Sequence, residues 1–142
     1  MKKYLGIDYG DARTGLALSD DLGLFAFGIG YESAPGPRKL AIRIAQICRE
    51  KKVEEIVLGH PINMNGTLGP RSELVKRFAA MLEEECALPV HLFDERCSTM
   101  VAHSFLNETG TRGKKRRQVV DTLSAQIILQ DFMDRLKAQG KA

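Results

Sequence analysis

The spacing of apolar positions changes once along the chain, and the change separates two kinds of architecture. Tyr4 to Asp8 is a short apolar run that ends in a carboxylate. Thr14 to Ser19 is a second run, and Leu24 to Tyr31 is a third, rich in aromatic and apolar residues. Gly10-Asp11 and Asp20-Asp21-Leu22-Gly23 divide them with turn chemistry, since Gly tolerates positive φ and Asp bonds to nearby backbone. Three short strands with tight connections predict an antiparallel meander.

After Pro35-Gly36-Pro37 the period becomes helical, with Leu40, Ala41, Ile44, Ile47 and Cys48 on one stripe. Ile56 to Gly59 reads as a buried strand closed by His60-Pro61. Leu74, Val75, Phe78, Leu82 and Cys86 mark a second helix. Pro89 to Phe93 is a fifth strand that runs into Asp94-Glu95-Arg96. Ser98 or Thr99 can cap a third helix with Val101, Ala102, Phe105 and Leu106 on one face. The polar, Gly-bearing and basic stretch Asn107 to Arg117 reads as a loop, and a last helix runs from about Gln118 to Leu136. The order βββ-α-β-α-β-α-α predicts an α/β fold: a five-stranded mixed sheet, an antiparallel meander plus parallel strands, flanked by helices. Helical crossovers make strands one, four and five parallel, so their C-terminal ends share one edge. Open α/β sheets place their sites at that edge.

Composition narrows the class. The 142 residues are 44% hydrophobic and 27% charged, as in an ordinary globular protein, and one domain over 1–142 is expected. No apolar run approaches the ~18 residues of a membrane helix. The start Met1-Lys2-Lys3-Tyr4-Leu5-Gly6-Ile7-Asp8 meets a carboxylate too soon for a signal-peptide core. A cytoplasmic protein with no membrane partner is expected. The three cysteines, Cys48, Cys86 and Cys97, show no CxxC spacing, so each is read as a small buried side chain rather than a disulfide or zinc ligand.

Three carboxylates stand out. Asp8 and Glu95 each end an apolar strand, and the topology puts both on one edge. Asp121 falls in the first turn of the last helix, where a carboxylate suits the dipole. Its i+3, i+4 and i+7 neighbours are Ser124, Ala125 and Ile128, so it faces the packed side. A buried carboxylate needs a partner. One or two Mg2+ or Mn2+ ions would satisfy all three. Two such ions, ~4 Å apart, activate a water and stabilise the leaving oxygen of a phosphodiester. Plainer readings compete: Asp8 as the start of a turn, Asp121 as a helix-terminal charge, and, for Glu95, its neighbour Asp94 as the ligand or a salt bridge to Arg96 as its role.

The formal net charge is +3, but its distribution matters more. Arg112, Lys114, Lys115, Arg116 and Arg117 place five positive charges in six residues, just before Asp121. Such a run is either a solvated loop or a phosphate-contacting arm beside the site. No aromatic residue interleaves with it, so base stacking there is unsupported. The loop Gly59 to Thr67 follows the fourth strand and either cradles a phosphate with its amides or simply caps the next helix. His60 in that loop is a possible general base, His91 alternates into a strand and packs, and His103 has no further support.

Leu5-Gly6-Ile7-Asp8-Tyr9-Gly10 with Arg13 to Ala17 and Ser19-Asp20 resembles the opening of the YqgF/RuvX family. Val57-Leu58-Gly59 through Asn65-Gly66-Thr67, Phe93-Asp94-Glu95-Arg96, and Asp121 to Ala125 through Ile128-Leu129-Gln130 match in the same order. The resemblance implies an RNase H-like fold and an acidic metal-binding triad of Asp8, Glu95 and Asp121. It implies a role in trimming the 5′ end of pre-16S ribosomal RNA, with a four-way DNA (Holliday) junction as the alternative substrate. His60, Cys97 and His103 depart from the family pattern without touching the triad.

The expectation is a metal-dependent nuclease, monomer or homodimer, whose Arg112 to Arg117 segment grips nucleic acid. Phosphoryl transfer from a nucleotide is a weaker alternative, because actin-like ATPases need two such domains. A non-catalytic nucleic-acid-binding assembly factor is the stronger rival.

Overall fold

The computed structural model describes residues 2–61, 65–94 and 113–140, and over 113–121 it describes the backbone. The elements are β1 (Tyr4–Asp8), β2 (Thr14–Ser19), β3 (Ala26–Glu32), α1 (Pro37–Lys51), β4 (Glu55–His60), α2 (Pro70–Cys86), β5 (Val90–Asp94) and α3 (Gly113–Ala138). The sheet order is β3-β2-β1-β4-β5. β1 pairs antiparallel with β2 and β2 with β3, while β1, β4 and β5 are mutually parallel. The expected mixed sheet is present, with the C-terminal ends of β1, β4 and β5 on one edge.

Strand alternation feeds two cores. Leu5, Ile7, Leu16, Leu18, Ile56 and Leu58 face α1 and α2, where Leu40, Ile44, Val75, Phe78 and Leu82 meet them. Ala17, Val57 and Phe93 face α3 and pack on Ala125, Ile128, Leu129 and Met133. Burial on both sides explains why β1 and β4 read as continuous apolar runs rather than alternating ones. Pro37 and Pro70 open α1 and α2, where a missing N–H costs nothing. Lys52 and Ala87 close them in the left-handed region, with φ of 59° and 57°. Cys48 is buried, Cys86 is half-buried, and both are free.

α3 lies close against the sheet because position 6 has no side chain. A Cβ on Gly6 would stand 2.7 Å from Leu129 Cβ and 3.0 Å from the Ala125 carbonyl oxygen. The helix therefore runs in near-contact with β1.

Two elements start more than one residue away from the sequence reading. β3 starts at Ala26 rather than Leu24, because Asp20 Oδ1 accepts hydrogen bonds from the N–H groups of Leu24 (2.8 Å) and Phe25 (3.3 Å) and draws both into the turn. α3 starts at Gly113, so the expected loop through Arg117 is corrected: Lys114, Lys115, Arg116 and Arg117 lie in its first turns. Lys and Arg are good helix formers, and solvated charges do not stop a helix that packs further along. The expected helix after Ser98 and residues Asn107 to Arg112 lie outside the described residues. Among the described residues no helix is long and apolar enough to cross a membrane.

Candidate active site

Asp8 is the last residue of β1 and is half-buried. Leu5 and Ile7 point to α1 and α2, and the Gly6 position abuts α3, so alternation sends Asp8 to the α3 side. The turn that follows is held from several directions. A Cβ on Gly10 would fall 2.0 Å from the Arg13 carbonyl oxygen, so this turn admits glycine alone. The Gly10 N–H donates to Thr14 Oγ1 at 3.3 Å, and Ser33 Oγ donates to the Ala12 carbonyl at 3.0 Å. Arg71, in the first turn of α2, donates through Nη2 to the Tyr9 carbonyl oxygen and through Nη1 to Asp11 Oδ1 at 2.6 Å. Its guanidinium lies 5.3 Å from the Tyr9 ring centroid, and that ring stacks on Phe78 at 4.2 Å and 11°. Asp8 thus stands at the head of a rigid turn. Arg71 is a site residue the sequence reading missed, since its partners are about sixty positions away and no local pattern marks them.

His60 does not belong to the Asp8 side of the sheet. It is the last residue of β4 rather than part of a loop, and Ile56 and Leu58 place its parity toward α2. There its Nε2 lies 2.6 Å from Ser72 Oγ on α2. Burial, and then the positive charge of Lys76, hold its pKa below the ordinary imidazole value. Asp94 pairs in register with His60 and shares its face, opposite to that of Asp8.

His91 packs as expected. Its ring lies 5.2 Å from that of Phe132, and its Nε2 meets Glu55 Oε1. Lys2 Nζ reaches the other oxygen of Glu55.

Glu95 and Arg112 lie outside the described residues, as does His103. For Asp121, Lys114, Lys115, Arg116 and Arg117 the backbone is described, and it is helical. No group of three metal-ligating side chains is formed among the described residues. The course of α3 bears on the donor set. Tyr4 packs edge-on against Phe132 at 5.6 Å, and Gly6 abuts Leu129 and Ala125. Two steps up β1 thus correspond to about one turn back along α3, as expected from ~3.3 Å per strand residue and ~1.5 Å per helix residue. The same course carries the earlier part of α3 toward the edge at which β1 ends in Asp8, and this part includes position 121. Ser124 Oγ, one turn beyond, is buried with no hydrogen-bond partner among the described residues.

The family model described as "RuvX: Holliday junction resolvase" matches residues 2–135. A Geobacillus kaustophilus protein named "Putative pre-16S rRNA nuclease" is 48% identical over 133 residues, covering 92% of this chain and 96% of that protein. A Ruminiclostridium cellulolyticum protein of the same name is 40% identical over 141 residues, 99% of both chains. Among solved structures, T. thermophilus RuvC in complex with Holliday junction substrate superposes with a TM-score of 0.59 at 14% identity, over 100% of this chain and 98% of that one. The fowlpox virus Holliday junction resolvase gives 0.54 at 11% identity, over 94% and 99%. These two likenesses establish the shared RNase H-like fold, and the sequence matches establish membership: the chain belongs to the RuvX family.

Proposed function

We propose that this chain, a single domain over 1–142, is a divalent-metal-dependent nuclease that hydrolyses phosphodiester bonds in pre-16S ribosomal RNA. The observation that carries the reading is the position of Asp8: on the α3 side, at the shared C-terminal edge toward which the N-terminal part of α3 runs. Glu95 directly follows the last residue of β5 and completes the set of three carboxylates. Oxygen donors of this kind fit Mg2+ or Mn2+, and the buried Ser124 hydroxyl, which has no hydrogen-bond partner among the described residues, agrees with a hydrated ion nearby. One or two such ions would activate the attacking water and stabilise the departing 3′ oxygen.

The protein's own share is position and charge. Arg71 and Phe78 fix the turn after Asp8, so the carboxylate does not have to be ordered when substrate binds. Arg112, Lys114, Lys115, Arg116 and Arg117 grip the phosphate backbone. Four of the five lie on the first turns of α3, immediately before the residue that serves the site. All three carboxylates come from one chain, so trimming an RNA end needs no second copy.

Relatives at 40–48% identity bear the pre-16S rRNA nuclease name, which favours RNA. The family description favours a four-way DNA junction as the second reading. Incubation with a 5′-extended 16S precursor fragment and with a four-way DNA junction, each in manganese or EDTA, separates them. Manganese-dependent cutting of the RNA alone is expected. Cutting of the junction alone would assign the protein to recombination. Salt-sensitive binding without any cutting would make it a binding factor.

A further inference from the structure

Asp8, Gly15 and Tyr31 form one row across three strands. Asp8 pairs with Gly15, and Gly15 pairs with Tyr31. Directly paired residues point to the same side of a sheet, so Tyr31 shares the α3 side with Asp8. The two are separated by two strand spacings, about 10 Å, and Gly15 puts no side chain between them.

Tyr31 reaches this side through an irregularity in β3. Ala17 pairs with Gly28 and Leu16 with Gly30, so Ile29 is an extra residue opposite no partner. Without it, the alternation that puts Gly28 against Thr122 of α3 would send Tyr31 to the opposite face. A bulge of this kind re-aims a side chain and recurs next to active sites. The re-aimed ring is 41% exposed, although α3 covers the middle of the same face. The Arg13 guanidinium lies 5.6 Å from its centroid. A phenol ring and a guanidinium together offer two flat surfaces and one positive charge. Unpaired bases stack on tyrosine rings and guanidinium planes, and the charge complements the attached phosphate.

We propose that Tyr31 and Arg13 form a stacking subsite for an unpaired nucleobase, seating a nucleotide beside the phosphate that is cut at Asp8. The inference rests on the nuclease reading and specifies its substrate: a single-stranded segment, as at an RNA end, rather than a continuous duplex. Other exposed apolar residues of the hairpin, Phe25 and Phe27 (65% and 47% exposed), are not in the Asp8 row. Phe27 pairs with Leu18 and so shares its α1 side.

The test is an abasic scan of a short single-stranded RNA, with binding followed by fluorescence anisotropy in EDTA so that nothing is cut. The wild-type chain is expected to lose about tenfold in affinity when one particular base is removed, the scale of one base–aromatic stack. Tyr31→Ser should weaken the intact RNA by a similar factor and become indifferent to that base. Tyr31→Phe should stay within about twofold of wild type. Wild-type affinity in Tyr31→Ser, or a uniform loss that keeps the abasic response, would overturn the subsite. A dimer seen by sedimentation in the wild type and lost in Tyr31→Ser would also overturn it, giving the ring to a second copy of the chain. Manganese-dependent cleavage, measured in parallel, keeps the two readings apart. Cutting with no Tyr31 effect removes the subsite and leaves the nuclease. An abasic signature without cutting leaves a base-binding site and removes the nuclease.

Discussion

Arg71 donates a hydrogen bond to the carbonyl oxygen of Tyr9, tying the residue after Asp8 to the first turn of α2. The partner Asp11 is 90% exposed, so that ion pair contributes little by itself. The bond to the half-buried Tyr9 carbonyl is charge-assisted and contributes about 1.5–3 kcal/mol. Arg71→Ala is therefore expected to lower stability by about that amount and cleavage by at least about tenfold, through misplacement of Asp8. Arg71→Lys should recover little, because one ammonium cannot span both oxygens as the guanidinium fork does. Thermal melts and cleavage rates on the same preparations check both statements.

Gly6 couples the sheet to the helix that carries Asp121. In Gly6→Ala the new methyl would meet Leu129 Cβ at 2.7 Å and the Ala125 carbonyl oxygen at 3.0 Å, so α3 must move outward. Overpacking of this kind costs about 1–3 kcal/mol. A fall of several degrees in Tm is expected, together with loss of activity beyond the unfolded fraction. Activity equal to wild type at a temperature where the variant is fully folded would show that the helix position is not critical.

Glu55 supplies a pH dependence. Burial pushes its carboxyl pKa up, but hydrogen bonds from Lys2 and His91 outweigh that and leave it below the ordinary 4.5. A carboxyl depressed in the folded state stabilises the fold above its unfolded pKa, and the benefit disappears as pH falls through the folded value. Wild type should be more stable than Glu55→Gln at pH 7. The gap should narrow below about pH 4.5 as Glu55 takes up its proton. Melts of both proteins between pH 3 and 7 test this, and a gap that stays constant with pH would contradict it.

The basic start of α3 predicts a salt response. About five phosphate contacts on a single strand give a slope near −3.5 in log K against log salt. Neutralising Lys114 and Lys115 together should reduce its magnitude by about 1.4, with the same proportional loss for any RNA sequence. An unchanged slope would return these residues to the role of solvated helix charges.

The sequence and the structure agree where the information is periodic. Five strands, two intermediate helices and the last helix are visible in apolar spacing, because each buries a definite face. The placement of Asp8 at the end of β1 is visible for the same reason. Other features depend on partners distant in the chain. Nothing near Arg71 indicates that it binds the Tyr9 carbonyl. The extra residue Ile29 leaves no mark in the sequence beyond two flanking glycines, yet it decides the side taken by Tyr31. The basic run reads as a loop because like charges suggest repulsion, whereas the backbone there is continuous with the helix that packs through Ala125, Ile128, Leu129 and Met133. His60 looks like a loop base until pairing with Asp94 puts it on the α2 side.

The central claim is that Asp8 serves the chemistry and not the fold. The direct measurement offers a 5′-extended 16S precursor fragment, in manganese, to the wild-type chain and to Asp8→Asn. Melting temperature and RNA affinity in EDTA are recorded for both. The account predicts cleavage by the wild type, loss of about a thousandfold or more in the variant, and nearly equal Tm and affinity. Full cleavage by Asp8→Asn would contradict it.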